Sequence, residues 1–185
     1  MKVFINPGHA LGLDPGAVNR EYDIDEAEVV ADIGELVENY LKEVGHEVMT
    51  LQSDNLVGEG SYNKYYSVVE TANRWDPDVF VSIHCNSAVN KEAQGAETYA
   101  YSAYSVGNTL ANCIQKQLVT SLDLVDRGVK YSSEFAVLRK TSMPAVLVET
   151  AFISNEHDVK LLMEEVDEFA RAIARGITDY AQEGK

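Results

Sequence analysis

Two cysteines, Cys85 and Cys113, are the only thiols in 185 residues, and neither belongs to a CxxC pair. That rules out a disulfide framework and a CxxC zinc or redox site, while leaving the compartment open. Four prolines and twelve glycines are scattered along the chain, so no linker, low-complexity tract or repeat period emerges. Long apolar runs are missing too: none approaches the roughly 18–20 residues of a membrane span. The start, MKVFINPGH, has one basic residue and three consecutive apolar ones, short of a signal-peptide core, so no export signal is expected. Positive charge is scarce as well. Fifteen basic residues face thirty acidic ones, a net charge of -15 that repels phosphate backbones and anionic membranes. No nucleic-acid or membrane partner is therefore expected. The local acidic cluster Glu164, Glu165, Asp167 and Glu168 reads as the solvated face of a terminal helix.

What the chain does have is a 45% hydrophobic content on a length suited to one domain over residues 1–185. Short apolar runs alternate with segments of helical period, the pattern of an α/β domain. The predicted strands are KVFIN (2–6), EVMTL (47–51), DVFVSI (78–83), AETYA (96–100), FAVL (135–138) and AVLVE (145–149). Helices are predicted over 25–43, 62–74, 105–121 and 166–181. The first carries Val30, Ile33, Val37, Leu41 and Val44 on one stripe with Gly45 as its C-terminal cap, and the second carries Tyr62, Tyr65, Tyr66 and Val69 as core. The expected architecture is a twisted, mostly parallel six-stranded sheet with helices on both faces.

Ligands in such sheets gather outside the carboxyl ends of the strands. Three predicted strands lead there into reactive groups: KVFIN turns through Pro7 and Gly8 to His9, VFVSI ends at His84, and AVLV ends at Glu149. Either histidine alone reads as a hydrogen-bonded core residue; together with a carboxylate they make a catalytic zinc shell, with one position left for water or substrate. Glu26 supplies the third ligand by periodicity, falling on the buried stripe of its helix while Glu28 lies on the solvated side. A carboxylate there needs a positive partner, although helix capping is the competing reason for an acid at this place. Glu149 is then free to act as general base, the alternative being a strand-end carboxylate that caps a neighbouring helix. His46 and His157 read as turn and helix-start residues, and strand alternation points Cys85 away from His84, which disfavours a Cys/His pair.

INPGHA, DPGA, FVSIHCNS, GAETY, RGVK and MPAVLVETAFISN occur in that order, and as a set they resemble the zinc-dependent amidase-3 family of N-acetylmuramoyl-L-alanine amidases. The resemblance runs from Met1 to about Tyr180. It implies hydrolysis of the bond between the lactyl group of muramic acid and the L-alanine of the peptidoglycan stem. It also implies Zn2+ on His9, Glu26 and His84, with Glu149 as the catalytic glutamate. Arg127 to Lys130, read as a cationic loop, is the implied contact to the stem peptide, the alternative being a solvated loop; Asn86, just beyond His84, reads as orienting the site or hydrogen-bonding substrate, or as a turn residue. The chain departs from the family pattern in lacking an arginine in TLQSDN and in SVVETAN. Action at the bacterial cell wall is implied, from a phage lysin or an excised catalytic domain, with a separate wall-targeting module supplying localisation. The alternatives are a zinc peptidase acting on another peptide and a peptidoglycan-binding module without catalysis.

Overall fold

The computed structural model describes residues 1–58 and 67–183. The chain begins with β1 (Lys2–Pro7), the two-residue strands β2 (Val18–Asn19) and β3 (Ile24–Asp25), helix α1 (Glu26–Glu43) and strand β4 (Glu47–Thr50). After α2 (Val68–Trp75) come β5 (Val79–Asn86), β6 (Ala96–Ala100), α3 (Gly107–Leu122) and β7 (Asp126–Tyr131). Helix α4 (Ala136–Lys140), strand β8 (Ala145–Phe152) and helices α5 (Glu156–Glu164) and α6 (Val166–Glu183) complete the order. The main sheet runs β4-β1-β5-β8-β6-β7, and its pairs are parallel except β6 against β8.

Period-two alternation in the central strands feeds two cores. Val81, Ile83 and Cys85 of β5 and Val146 and Val148 of β8 face α1, α3 and α6, whose Ile33, Ile114 and Ile173 are fully buried. Phe80 and Leu147 point to the other face, under Val69 and Ala72 of α2 and Val137 and Leu138 of α4. Phe4 stacks on Phe80 there, with ring centroids 5.4 Å apart. Helices therefore cover both faces, as expected. The second face carries His84 and Glu149, which line a cavity there. No helix among the described residues is long and apolar enough to cross a membrane.

Several expected elements are revised. FAVL is not a strand: Phe135 precedes the short helix α4, which turns Val137 and Leu138 inward. A four-residue apolar run has no periodicity that separates helix from strand, and packing decides it. The sixth strand is instead DRGVKY, so RGVK belongs to edge strand β7 and is not a loop. Its charges suit an edge strand, where polar side chains meet solvent and block further pairing. Val44 ends α1 and is 63% exposed, leaving the stripe at Leu41. The acidic cluster straddles the break between α5 and α6, two helices where one was expected. Of the predicted 62–74 helix, the described part begins at Val68, and Tyr62, Tyr65 and Tyr66 lie outside the described residues.

Candidate active site

Strand β1 ends in Pro7-Gly8 and delivers His9 in a left-handed conformation, with φ of 62°. For a residue with a Cβ that conformation is strained by about 1–2 kcal/mol. His9 keeps it because the following loop closes on itself: Ala10 N donates to Asp14 O at 3.0 Å, and His9 Nδ1 lies 2.8 Å from Asp14 Oδ2. His9 Nε2 is thereby turned to Glu26, 3.0 Å from Oε2. Glu26 is the first residue of α1, which is capped by Asp25 accepting from Glu28 N. Asp25 does the capping, so Glu26 is released for another task. Its 4% exposed carboxylate takes hydrogen bonds from Ala17 N and Cys85 N, each 3.0 Å long, and lies 2.9 Å from His84 Nδ1.

The three predicted ligands converge as the sequence reading required: one donor atom each from His9, Glu26 and His84 lies within 4.8 Å of the others. Two glycines make the room. A Cβ on Gly8 would sit 2.2 Å from His84 Cε1, and one on Gly16, whose φ is +66°, would sit 2.6 Å from the His9 ring. Burial opposes ionisation of Glu26, yet the hydrogen bonds from His84 and His9 prevail and hold its carboxyl well below the usual range. The bond to Glu26 in turn raises His9 to about 9 against burial, with Asp14 adding to the rise. A fixed anion with two imidazoles directed at it, one braced from behind by a second carboxylate, is the donor set of a His2Glu zinc site. The residues fit that ion.

Glu149 stands beside this cluster, in register with His84 across the β5–β8 pair. Both residues lie within their strands, which continue to Asn86 and Phe152 instead of stopping as expected. Glu149 opens partly onto a cavity of about 290 Å3 that it shares with His9, Glu26 and His84, while its Oε2 is buried with no hydrogen-bond partner among the described residues. Burial pushes this carboxyl up to about 7. A carboxyl that titrates near neutrality therefore borders the space beside His9, Glu26 and His84. A larger cavity of about 330 Å3 lies around Ala145, at the opposite end of β8, and Arg139 is its one charged lining residue. The concentration of ionisable groups is in the smaller one.

The predicted substrate contacts occupy the same sheet face, joined through a residue the sequence reading passed over. Glu97 of β6 is in register with Glu149 and is 3% exposed. Its Oε1 accepts from Asn86 Nδ2 at 3.0 Å and the Tyr99 hydroxyl at 2.8 Å; its Oε2 accepts from Arg127 Nε at 2.6 Å and Lys130 Nζ at 2.5 Å. Burial opposes ionisation of Glu97, but the bonds from Lys130, Arg127 and Tyr99 hold its carboxyl down. Asn86 lines the cavity beside His9, Glu26 and His84, whereas Arg127 and Lys130 reach only its neighbourhood, through Glu97. An acid among the inward-facing residues of AETYA was the available signal for Glu97, as the DPGA turn was for Asp14. His46 and His157 stay outside the site, and burial pushes the Cys85 thiol well up, making it inert.

Residues 3–179 match the Amidase_3 family, described as N-acetylmuramoyl-L-alanine amidase. The chain is 40% identical over 182 residues to the uncharacterized protein YqiI of Bacillus subtilis strain 168, covering 96% of this chain and 84% of that protein. It is 36% identical over 185 residues to N-acetylmuramoyl-L-alanine amidase LytC of the same organism, covering 96% of this chain but 35% of LytC, about a third of its length. The fold aligns with N-acetylmuramoyl-L-alanine amidase AmiC2 of Nostoc punctiforme at a TM-score of 0.83 and 33% identity, over 98% of this chain and 97% of that one. With the family match spanning nearly all of the sheet and its helices, the chain belongs to the Amidase_3 family of N-acetylmuramoyl-L-alanine amidases.

Proposed function

We propose that this enzyme hydrolyses the amide between N-acetylmuramic acid and L-alanine in peptidoglycan, using zinc held by His9, Glu26 and His84. The observation that carries the reading is the convergence of those three donors beside a buried carboxylate oxygen with no partner. What zinc supplies when bound is Lewis acidity, which polarises the scissile carbonyl and acidifies an attacking water. The rest is the work of the chain. Asp14 holds His9 Nδ1, fixing the ring so that Nε2 points into the site. The Glu149 carboxylate takes the proton of the attacking water as the new C–O bond forms, then returns it to the departing alanine nitrogen as the C–N bond breaks. The products are the lactyl carboxylic acid and a stem peptide with a free amino terminus.

Arg127, Lys130 and Asn86 are assigned to the stem peptide. Two cations on one carboxylate leave a local positive surplus, suited to a peptide carboxylate near the scissile bond. The chain as a whole has a charge of -15 and gains no attraction to an anionic wall. A separate wall-binding module is therefore assigned to localisation at the bacterial cell wall, and fusing one should raise lytic activity.

Digestion of purified peptidoglycan tests the reading. New L-alanine amino termini are expected. New reducing sugar ends, or cleavage within soluble peptides with the wall untouched, would replace it with another hydrolase. His84→Ala and Glu26→Ala should lose zinc, measured by metal content after dialysis. Retention of one zinc per chain by both would remove the assigned ligands.

A further inference from the structure

The segments carrying the three assigned ligands are tied together by backbone hydrogen bonds that converge on a side chain outside the metal shell. Gly8, immediately before His9, donates its N–H to Ile83 O, immediately before His84, at 2.9 Å. The carbonyl of the same Gly8 accepts from Gln52 Nε2 at 2.9 Å. The other hydrogen of that amide goes to Ala27 O, immediately after Glu26, also at 2.9 Å. One planar NH2 group thus spans the β1 turn and the first turn of α1.

Gln52 is itself well fixed. The preceding residue, Leu51, donates its N–H to Ile5 O at 3.0 Å, and its carbonyl accepts from the buried Asn6 Nδ2 at 2.9 Å. Asn6 also takes the Ser82 hydroxyl at 2.9 Å, which links β1 to β5 two residues before His84. The tight fit adds force to this arrangement, since a Cβ on Gly8 has no room beside the His84 ring. A small shift of the β1 turn therefore moves His9 and presses on His84 together. A metal shell needs its ligands held to within about half an ångström, and a supporting group outside the shell typically contributes 10–100-fold in metal affinity.

We propose that Gln52 is a positioning residue for the metal site: its amide bridges the Gly8 and Ala27 carbonyls and sets the spacing between His9 and Glu26 before any ion arrives. The proposal rests on the zinc reading above, and the two fail separately. If wild type takes up no stoichiometric zinc, the zinc reading falls; if wild type binds and the Gln52 variants bind equally, only this proposal falls.

The experiment is competition of zinc against a chromophoric chelator, run on full-length wild type, Gln52→Met, Gln52→Ala and Gln52→Arg at a temperature where circular dichroism shows each folded. Gln52→Met keeps the approximate length and packing of the side chain and removes its amide, the two donors included. Zinc dissociation constants are expected to rise about 10–100-fold for Met and Ala. Gln52→Arg, whose guanidinium carries donors enough to meet both carbonyls, should stay within about 3-fold of wild type. A merely structural role would lower the unfolding midpoint of the metal-free protein and leave zinc affinity of the folded molecule unchanged. Affinities for Met and Ala within about 2-fold of wild type overturn the proposal, and so does an Arg variant as weak as Ala. Should Ala fail to fold, the Met and Arg pair decides alone.

Discussion

Replacing the proposed base should strengthen the fold of the metal-free protein and end catalysis in the zinc-loaded one. Glu149 carries a buried Oε2 without a partner, and burial raises its carboxyl from 4.5 to about 7. A folded-state pKa above the unfolded one means that the folded chain holds its proton more tightly. Stability is then lost as pH rises from 4.5 towards 7, and the full penalty is present above that window. At 1.36 kcal/mol per pH unit, and with some screening by water where Glu149 meets the cavity, the penalty is about 2–3 kcal/mol. Glu149→Gln is isosteric and uncharged, so it removes the penalty. Urea denaturation of chelator-treated wild type and variant, followed by circular dichroism, should show the variant more stable by that amount at pH 8. At pH 4, where both side chains are neutral, the two should nearly coincide. Comparing variant with wild type at each pH cancels the other titrating groups, and excluding metal avoids the positive charge that would favour the carboxylate. A variant no more stable than wild type at pH 8, or a gain of equal size at both pH values, would refute the account of Glu149 as a strained acceptor. The same variant should keep its zinc and lose turnover, since Glu149 lies outside the proposed ligand set.

Other consequences are checkable with the same preparations. Glu97→Gln leaves Arg127 and Lys130 without their buried counter-charge; with both cations about a third exposed, the loss should be about 1–3 kcal/mol at pH 7 by urea denaturation. Because Glu97 is held below the usual carboxylate range, that difference should shrink as pH falls below 4.5 and wild-type Glu97 takes up its proton. Gly16→Ala places a methyl group 2.6 Å from His9 and 2.7 Å from Glu26 Oε2 at a positive φ, so zinc affinity measured by chelator competition should drop at least about 10-fold. Treatment with a strong chelator should abolish wall hydrolysis, and zinc should restore it. Zinc at 1,000 times its dissociation constant should stabilise the fold by about 4 kcal/mol, read by thermal unfolding with and without metal.

The parts of this site that were legible in the sequence are those where a local pattern and a global role coincide. His84 and Glu149 stood out because each follows an apolar run at the carboxyl end of a predicted strand, and a buried ionisable group needs a reason. Glu26 could be separated from Glu28 because helical periodicity distinguishes a buried stripe from a wet one, and the structure gives Asp25 the capping role that competed for it. The edge of the sheet was not legible in this way. DRGVKY alternates weakly and holds two cations, so its strand character depends on pairing with β6, a contact no local window contains. FAVL has the opposite problem, being too short for its period to be read, and it folds as α4 against Phe80 and Leu147. Gln52 and Glu97 were missed for a related reason. Their partners are 25 to 44 residues away for Gln52 and up to 33 for Glu97; an acid among the inward-facing residues of AETYA signals that Glu97 needs a partner, but no local window contains Lys130 or Arg127.

Sheet order explains why these groups form one site. Strands β5, β8, β6 and β7 are neighbours, so His84, Glu149, Glu97 and the Arg127–Lys130 pair make a row across one face, spaced by roughly 4.8 Å per strand. The antiparallel turn of β6 against β8 brings Glu97 level with Glu149, placing a second carboxylate beside the first. That neighbour adds to the rise in proton affinity of Glu149 that burial begins. Glu97 would be an unpaired buried charge were it not for Arg127 and Lys130, and those cations exceed it by one charge in an otherwise acidic chain. The row therefore runs from the proposed zinc ligands, through the proposed base, to the Arg127–Lys130 cations. For an extended peptide crossing the strands, the order matches a scissile amide at one end and a carboxylate a few residues along at the other. Long-range attraction has no part in that match, because the field of the whole molecule has the wrong sign for an anionic substrate, and selectivity rests on contacts made after arrival.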